Sequence, residues 1–153
     1  MAKFIYKMQN VLNVKEKMEE QAKMEFAQAT IRLNEELTKL ERLKEKRTFY
    51  EREGVRLRES ILEPLLLKEN EAAIEYVKEE IKEQHRNIKR AEEALEKARL
   101  KLQEYMMERK THEKLKENAF EIFKQDINKE ESKEVDELTS YVYGKRIIDG
   151  KGT

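Results

Sequence analysis

The sequence predicts an all-α fold: a long antiparallel two-helix coiled-coil hairpin with a short helical turn at the hinge. Three observations carry that expectation. Apolar residues recur at helical spacing in two long, narrow stripes. The stripes are separated by the only proline, Pro64, and by Gly54, the only glycine before Gly144. Charged residues make up 43% of the 153 and apolar residues 38%, against about 25% and 45–50% in an ordinary globular domain. That composition is too poor for a thick core but sufficient for one helix–helix seam. Net charge is zero, with 33 basic and 33 acidic residues. Neutrality and regular apolar spacing both argue against a disordered chain.

The whole chain, 1–153, is expected to form a single coiled-coil domain. Helix one is expected over about 3–58, its seam running Phe4, Met8, Val11, Lys15, Met18, Ala22, Phe26, Ala29, Leu33, Leu37, Leu40. Consecutive steps of four around Phe26 and Leu37 read as stutters, which relax a left-handed supercoil. The hinge is expected over about 59–70. Pro64 cannot donate to a carbonyl one turn back and pushes Glu63 away from helical angles. A short helical turn carrying Leu65, Leu66 and Leu67 can begin there, with Asn70 placed to cap the next helix.

Helix two is expected over about 71–143. Ile74, Ile81, Ile88, Leu95 and Leu102 fall seven apart, and Val77, Gln84, Ala91, Ala98 and Tyr105 fill the other seam position. Gln84 is the one polar break in that run. After Leu102 the stripe continues with a shift of phase through Tyr105, His112, Leu115, Ala119 and Ile122. It thins beyond Ile122 and is weakly restored by Val135, Leu138, Tyr141 and Val142. Gly144 reads as a stop and 144–153 as a mobile tail. Because the hinge pins one end of the pair, the longer second helix should overhang from about Lys129 onward.

Most chemistry is excluded. There is no cysteine, hence no disulfide and no thiol nucleophile. His85 and His112 are too far apart on one helix to share a metal, and each reads as packing at the seam edge. No catalytic residue, metal site or cofactor is expected. The acidic residues are a solvated face, because nothing in a two-helix rod desolvates a carboxylate pair. Gly150-Lys151-Gly152-Thr153 lacks the spacing of a phosphate loop and the strand and helix that flank one. Balanced charge gives no basic surplus for nucleic acid. The longest apolar run, Leu65-Leu66-Leu67, is far short of a membrane span, and the opening residues show no signal-peptide core. The expectation is a cytoplasmic protein without direct membrane insertion.

Some residues ask for a partner. Phe49 and Tyr50 are adjacent and cannot both face a seam. Met106 and Met107 follow Tyr105, and Phe120 and Phe123 flank Ile122. These widen the stripe past what one helix covers, so they serve either packing within the chain or an exposed contact patch.

The opening Phe4-Ile5-Tyr6-Lys7-Met8-Gln9-Asn10-Val11-Leu12-Asn13-Val14-Lys15-Glu16, the stretch Glu108-Arg109-Lys110 with Glu113-Lys114-Leu115, the polar Glu83-Gln84-His85-Arg86, and the acidic Glu134, Asp136, Glu137 with Leu138 together resemble the FliJ family of flagellar type III export proteins. The likeness spans nearly the full length in the right order. Tyr141 to Gly144 and the glycine-rich end depart from the family's basic close.

The resemblance implies an antiparallel coiled coil like the central stalk of rotary ATPases. It implies a non-enzymatic, cytoplasmic component of flagellar protein export, peripheral to the membrane at the flagellar base. Its implied partners are the hexameric export ATPase, the export-gate membrane protein and export chaperones. On that view Phe4, Tyr6, Val135, Leu138 and Tyr141 would meet the ATPase ring. Leu40, Leu43, Phe49, Tyr50, Ile74 and His85 would meet the gate or chaperones. The chain itself would be a monomer or weak dimer. The rival readings are a structural homodimer zipped through Ile74–Leu102, without an export role, and a nucleic-acid-binding coiled arm.

Overall fold

The computed structural model describes residues 2–60 and 63–151, with side chains through 147. Two helices account for nearly all of it: α1, Gln9–Glu59, and α2, Pro64–Lys151. They pack against each other as a helical hairpin. The chain falls into two compact units. The first joins Met1–Lys17 to Met107–Thr153, and the second is Met18–Met106.

Within the second unit the pairing is antiparallel. Tyr50 meets Asn70, Lys46 meets Glu80, Glu36 meets Gln84 and Glu25 meets Lys101. As numbering falls along α1 it rises along α2. Seam positions on α1 are Glu19, Ala22, Phe26, Ala29, Leu33, Glu36, Leu40, Leu43, Arg47, Tyr50, Gly54 and Leu57, all buried or half-buried. Those on α2 run Leu67, Asn70, Ile74, Val77, Ile81, Gln84, Ile88, Ala91, Leu95, Ala98, Leu102 and Tyr105, again all buried or half-buried. Steps of three and four alternate without interruption on both helices, which is an unbroken heptad. The Ile74–Leu102 stripe is therefore covered by α1 of the same chain, not left for a second copy.

The expected α1 seam needs correction. Glu36 is 2% exposed while its neighbour Leu37 is 42% exposed. Likewise Leu12 is buried and Val11 is not. The expected stutters come from placing Met18 and Leu37 on the seam, where the buried residues are their neighbours Glu19 and Glu36. Glu36 occupies its position because α2 offers it donors. Gln84 Nε2 gives one hydrogen to the Glu36 carbonyl at 2.7 Å and one to its carboxylate at 2.6 Å. Arg32 and Lys39, at 3.1 and 3.7 Å, neutralise the same carboxylate from the solvent side. Gln84 is thus not a gap in the seam but half of a paired polar layer, which a buried carboxylate requires.

Beyond Leu102 the expected phase shift is absent. In the first unit Arg109, His112, Lys116, Ala119 and Phe123 continue the same alternation, half-buried, while Leu115 and Ile122 are 47% and 59% exposed. Long basic side chains hold these places by laying their methylene stems on the seam and keeping the charge outside.

The ends also differ from expectation. α1 starts at Gln9 rather than near Lys3. The chain turns before it, with Gln9 N–H donating to the Tyr6 carbonyl at 3.1 Å. Phe4 packs on Phe120 and Phe123 of α2, with ring centroids 5.1 and 5.4 Å apart, a contact that a straight helix from Lys3 would forgo. At the hinge, the helical turn expected at Pro64 forms and runs directly into α2. Proline suits a first helical position, where its missing N–H costs nothing. Within the hinge, Ile61 and Leu62 lie outside the described residues. Asn70 is accordingly inside the helix and caps nothing. Gly144 does not end α2, which reaches Lys151 with no glycine at positive φ among the described residues. A lone glycine costs a helix about 1 kcal/mol without forcing a stop. The last two residues of the expected tail, Gly152 and Thr153, lie outside the described residues.

Asn70 has a different task. Its Nδ2 donates to the Tyr50 carbonyl at 2.9 Å, and a Cβ on the buried Gly54 would stand 2.5 Å from its Oδ1. Two effects of similar size then oppose each other in Gly54→Ala: about 1 kcal/mol gained in helix propensity, and about 1 kcal/mol lost with the Asn70 hydrogen bond. We expect Gly54→Ala to be nearly neutral in the native chain and to stabilise an Asn70→Ala chain by about 1 kcal/mol. A double-mutant cycle from urea unfolding reads the coupling. Equal effects in both backgrounds would show that the close approach constrains nothing.

The Glu36 carboxyl is held below its ordinary value of 4.5, first by the Gln84 hydrogen bond and then by Lys39 and Arg32, against burial, which acts the other way. A folded-state value below the unfolded one stabilises the hairpin at pH above 4.5, and that stabilisation is lost as pH falls through the folded value. Unfolding curves between pH 7 and pH 3 should therefore show the native chain losing more stability on acidification than Glu36→Gln. Parallel losses in the two chains would contradict this.

Candidate interaction surface

Among the described residues no group of His, Asp and Glu could hold a metal ion. Among the same residues no helix is long and apolar enough to cross a membrane. His85 is exposed, whereas His112 sits half-buried on the first unit's seam with its Nδ1 buried and unpartnered. The concave places are open grooves, such as the one in the first unit lined by Phe4, Leu12, Glu16, Glu113, Lys116 and Phe120. What the molecule offers is outward-facing side chains.

The clearest such surface is the far part of α2. Every side chain from Asn128 to Tyr143 is exposed. Val135, Leu138 and Tyr141 are 59%, 63% and 68% exposed. Apolar residues at those exposures are unfavourable in water unless something covers them. Phe4 and Tyr6, grouped with them in the sequence reading, belong elsewhere in the same unit. Both are half-buried, Phe4 in the aromatic cluster with Phe120 and Phe123. Lys124 lies over the Phe120 ring at 4.8 Å, a contact that helps close the cluster's edge. From Phe123 to Val135 is about 18 Å along the helix, so the two subsets are separate surfaces.

The second set divides as well. Leu40 is buried, and Leu43, Tyr50 and Ile74 are half-buried; all four are spent on the seam of the second unit. Phe49 is 61% exposed, its ring edge-on to Tyr50 with centroids 5.7 Å apart. His85 is exposed. One residue missed by sequence reasoning is Tyr76, 66% exposed. Lys46 and Glu80 bridge the helices at 3.9 Å. Phe49 lies one turn from Lys46 on α1 and Tyr76 one turn from Glu80 on α2, so both aromatics flank that bridge on one face. The signal was available: Tyr76 falls between seam positions Ile74 and Val77, where the seam has no room for it.

Compared with known proteins, the chain matches the family model of the flagellar FliJ protein over residues 4–147. No curated protein and no solved structure matches it. The family match opens at Phe4 of the aromatic cluster, runs through both seams and covers the exposed part of α2. The chain thus belongs to the flagellar FliJ protein family, and with that membership comes a flagellar, export-related role.

Proposed function

We propose that the chain is a non-enzymatic, cytoplasmic component of the flagellar export apparatus, and that the exposed part of α2 is its contact with the hexameric export ATPase. The observation that carries this reading is the bare helix itself: from Asn128 to Tyr143 nothing among the described residues covers Val135, Leu138 or Tyr141. A single helix is about 10–12 Å across with its side chains, a width suited to the centre of a protein ring. The face carrying Phe49 and Tyr76 is the proposed contact for the export gate or for export chaperones. Tyrosine is among the residue types enriched at the energetic centres of protein interfaces, and aromatic side chains in general are enriched in interface cores.

Two measurements test these assignments. A chain ending at Asn128 should lose its stimulation of ATP hydrolysis by the export ATPase while keeping the circular dichroism of a hairpin. Undiminished stimulation would remove the ring assignment. Phe49→Ala with Tyr76→Ala should weaken capture of the gate's cytoplasmic portion or of chaperones about tenfold or more, the scale of lost interface anchors. Unchanged capture of both would remove that face from the account.

A further inference from the structure

We propose that two copies of this chain associate through the exposed part of α2, antiparallel, with the acidic half of one segment lying along the basic end of the other. Two independent features of the segment point to a second copy.

The first is the phase of its apolar residues. Carried on from Phe123 in steps of three and four, the seam line meets the half-buried Ile127 and then Glu130, Glu134 and Glu137, all charged and exposed. The hairpin seam is thereby closed off by charge. A new apolar stripe opens on another side of the helix: Val135, Leu138 and Val142, in steps of three and four, at 59%, 63% and 48% exposure. Residues so spaced share one helix face and suit one partner helix.

The second is charge order. Glu130, Glu131, Glu134, Asp136 and Glu137 precede Leu138, with Lys133 the only basic residue among them, and Lys145 and Arg146 follow it. Side by side and parallel, two such segments would set acid against acid. Antiparallel about Leu138, they set Glu131 and Glu134 near Lys145 and Arg146 of the other copy, twice over by two-fold symmetry. A face that is self-complementary in this way is what a symmetric dimer requires. The stripe is only about two turns long, so the area it can bury falls below the roughly 1,200 Å² of standard interfaces. The association is accordingly weak and readily reversed. It does not rest on the export reading, since it needs no other protein, but it covers Val135 and Leu138 and so excludes the ring contact while it lasts.

Analytical ultracentrifugation of the full chain tests this directly. The weight-average mass should climb from 18.4 kDa toward twice that value with concentration, and fall back as salt is raised. Leu138→Asp, an exposed position whose change should leave helix content intact, should hold the chain at monomer mass. Glu131→Lys with Glu134→Lys should weaken association several-fold, and adding Lys145→Glu with Arg146→Glu should restore it. The chain has no cysteine of its own, so Glu131→Cys and Arg146→Cys chains can be mixed with a short bis-maleimide. They should link to each other and not to themselves. A mass that stays at monomer, association that survives Leu138→Asp, or linking of each cysteine chain only to itself would overturn the proposal.

Discussion

Two helices alone can bury only one stripe of each. That constraint governs the rest of this molecule. Any seam residue must find its complement on the facing helix, and any residue off the seam faces water. Glu36 and Gln84 show how strictly it applies. Both are buried, and each supplies what the other lacks: two amide hydrogens for a carbonyl and a carboxylate oxygen. Such a layer adds little attraction beyond what water would give. Its effect lies in register. A slip of one heptad would place the carboxylate against Val77 or Ala91, where no donor exists, and a buried unpaired charge is far costlier than a lost contact. The polar layer therefore fixes which residues of α1 face which residues of α2, and hence which side chains are left outside.

Asn70 and Gly54 act on the same register by another route. A side-chain amide bonds a backbone carbonyl only where the backbones come close, and the closeness depends on a residue without a Cβ. Arg47, also on the seam, uses its length instead: its charge reaches Glu51 at 2.9 Å while its stem packs. The seam thus carries much of its specificity in polar residues. Apolar packing at Val77, Ile88, Ala91 and Leu40 supplies its main driving force.

That division explains what could be read in advance. The fold class was legible because period and breaker sufficed: ten positions from Ile74 to Tyr105 kept a strict heptad, and one proline stood between two stripes. The α1 phase was not legible. Leu37 beside Glu36 offers the more hydrophobic choice at the wrong position, and only the facing Gln84 reveals why glutamate wins; Val11 and Leu12 are both apolar, and hydrophobicity does not choose between them. The same bias produced a phase shift at Leu115 and Ile122, which face outward while His112 and Lys116 hold the seam. The start of α1 was missed because the periodic pattern extends through Phe4, whereas its real partners, Phe120 and Phe123, lie more than a hundred positions away. Among the proposed contact residues, the exposed stretch from Asn128 follows from unequal helix lengths. Leu40 and Ile74 were harder to place, since seam and surface residues look alike until the register is known.

The first unit differs from the second in what its seam contains. Its α2 side presents Arg109, His112 and Lys116, and its α1 side Leu12 and Lys15, with Lys15 bonded to Glu108 at 3.0 Å. A half-exposed ion pair of this kind contributes little, so the burden falls on Leu12 and on the Phe4–Phe120–Phe123 cluster, where each ring pair adds about 0.5–1.5 kcal/mol beyond its buried area. Local opening should be easiest where apolar contacts are fewest, and that is this unit. The exposed part of α2 belongs to it. The proposed contact segment is therefore carried by the unit whose own seam buries the fewest apolar side chains.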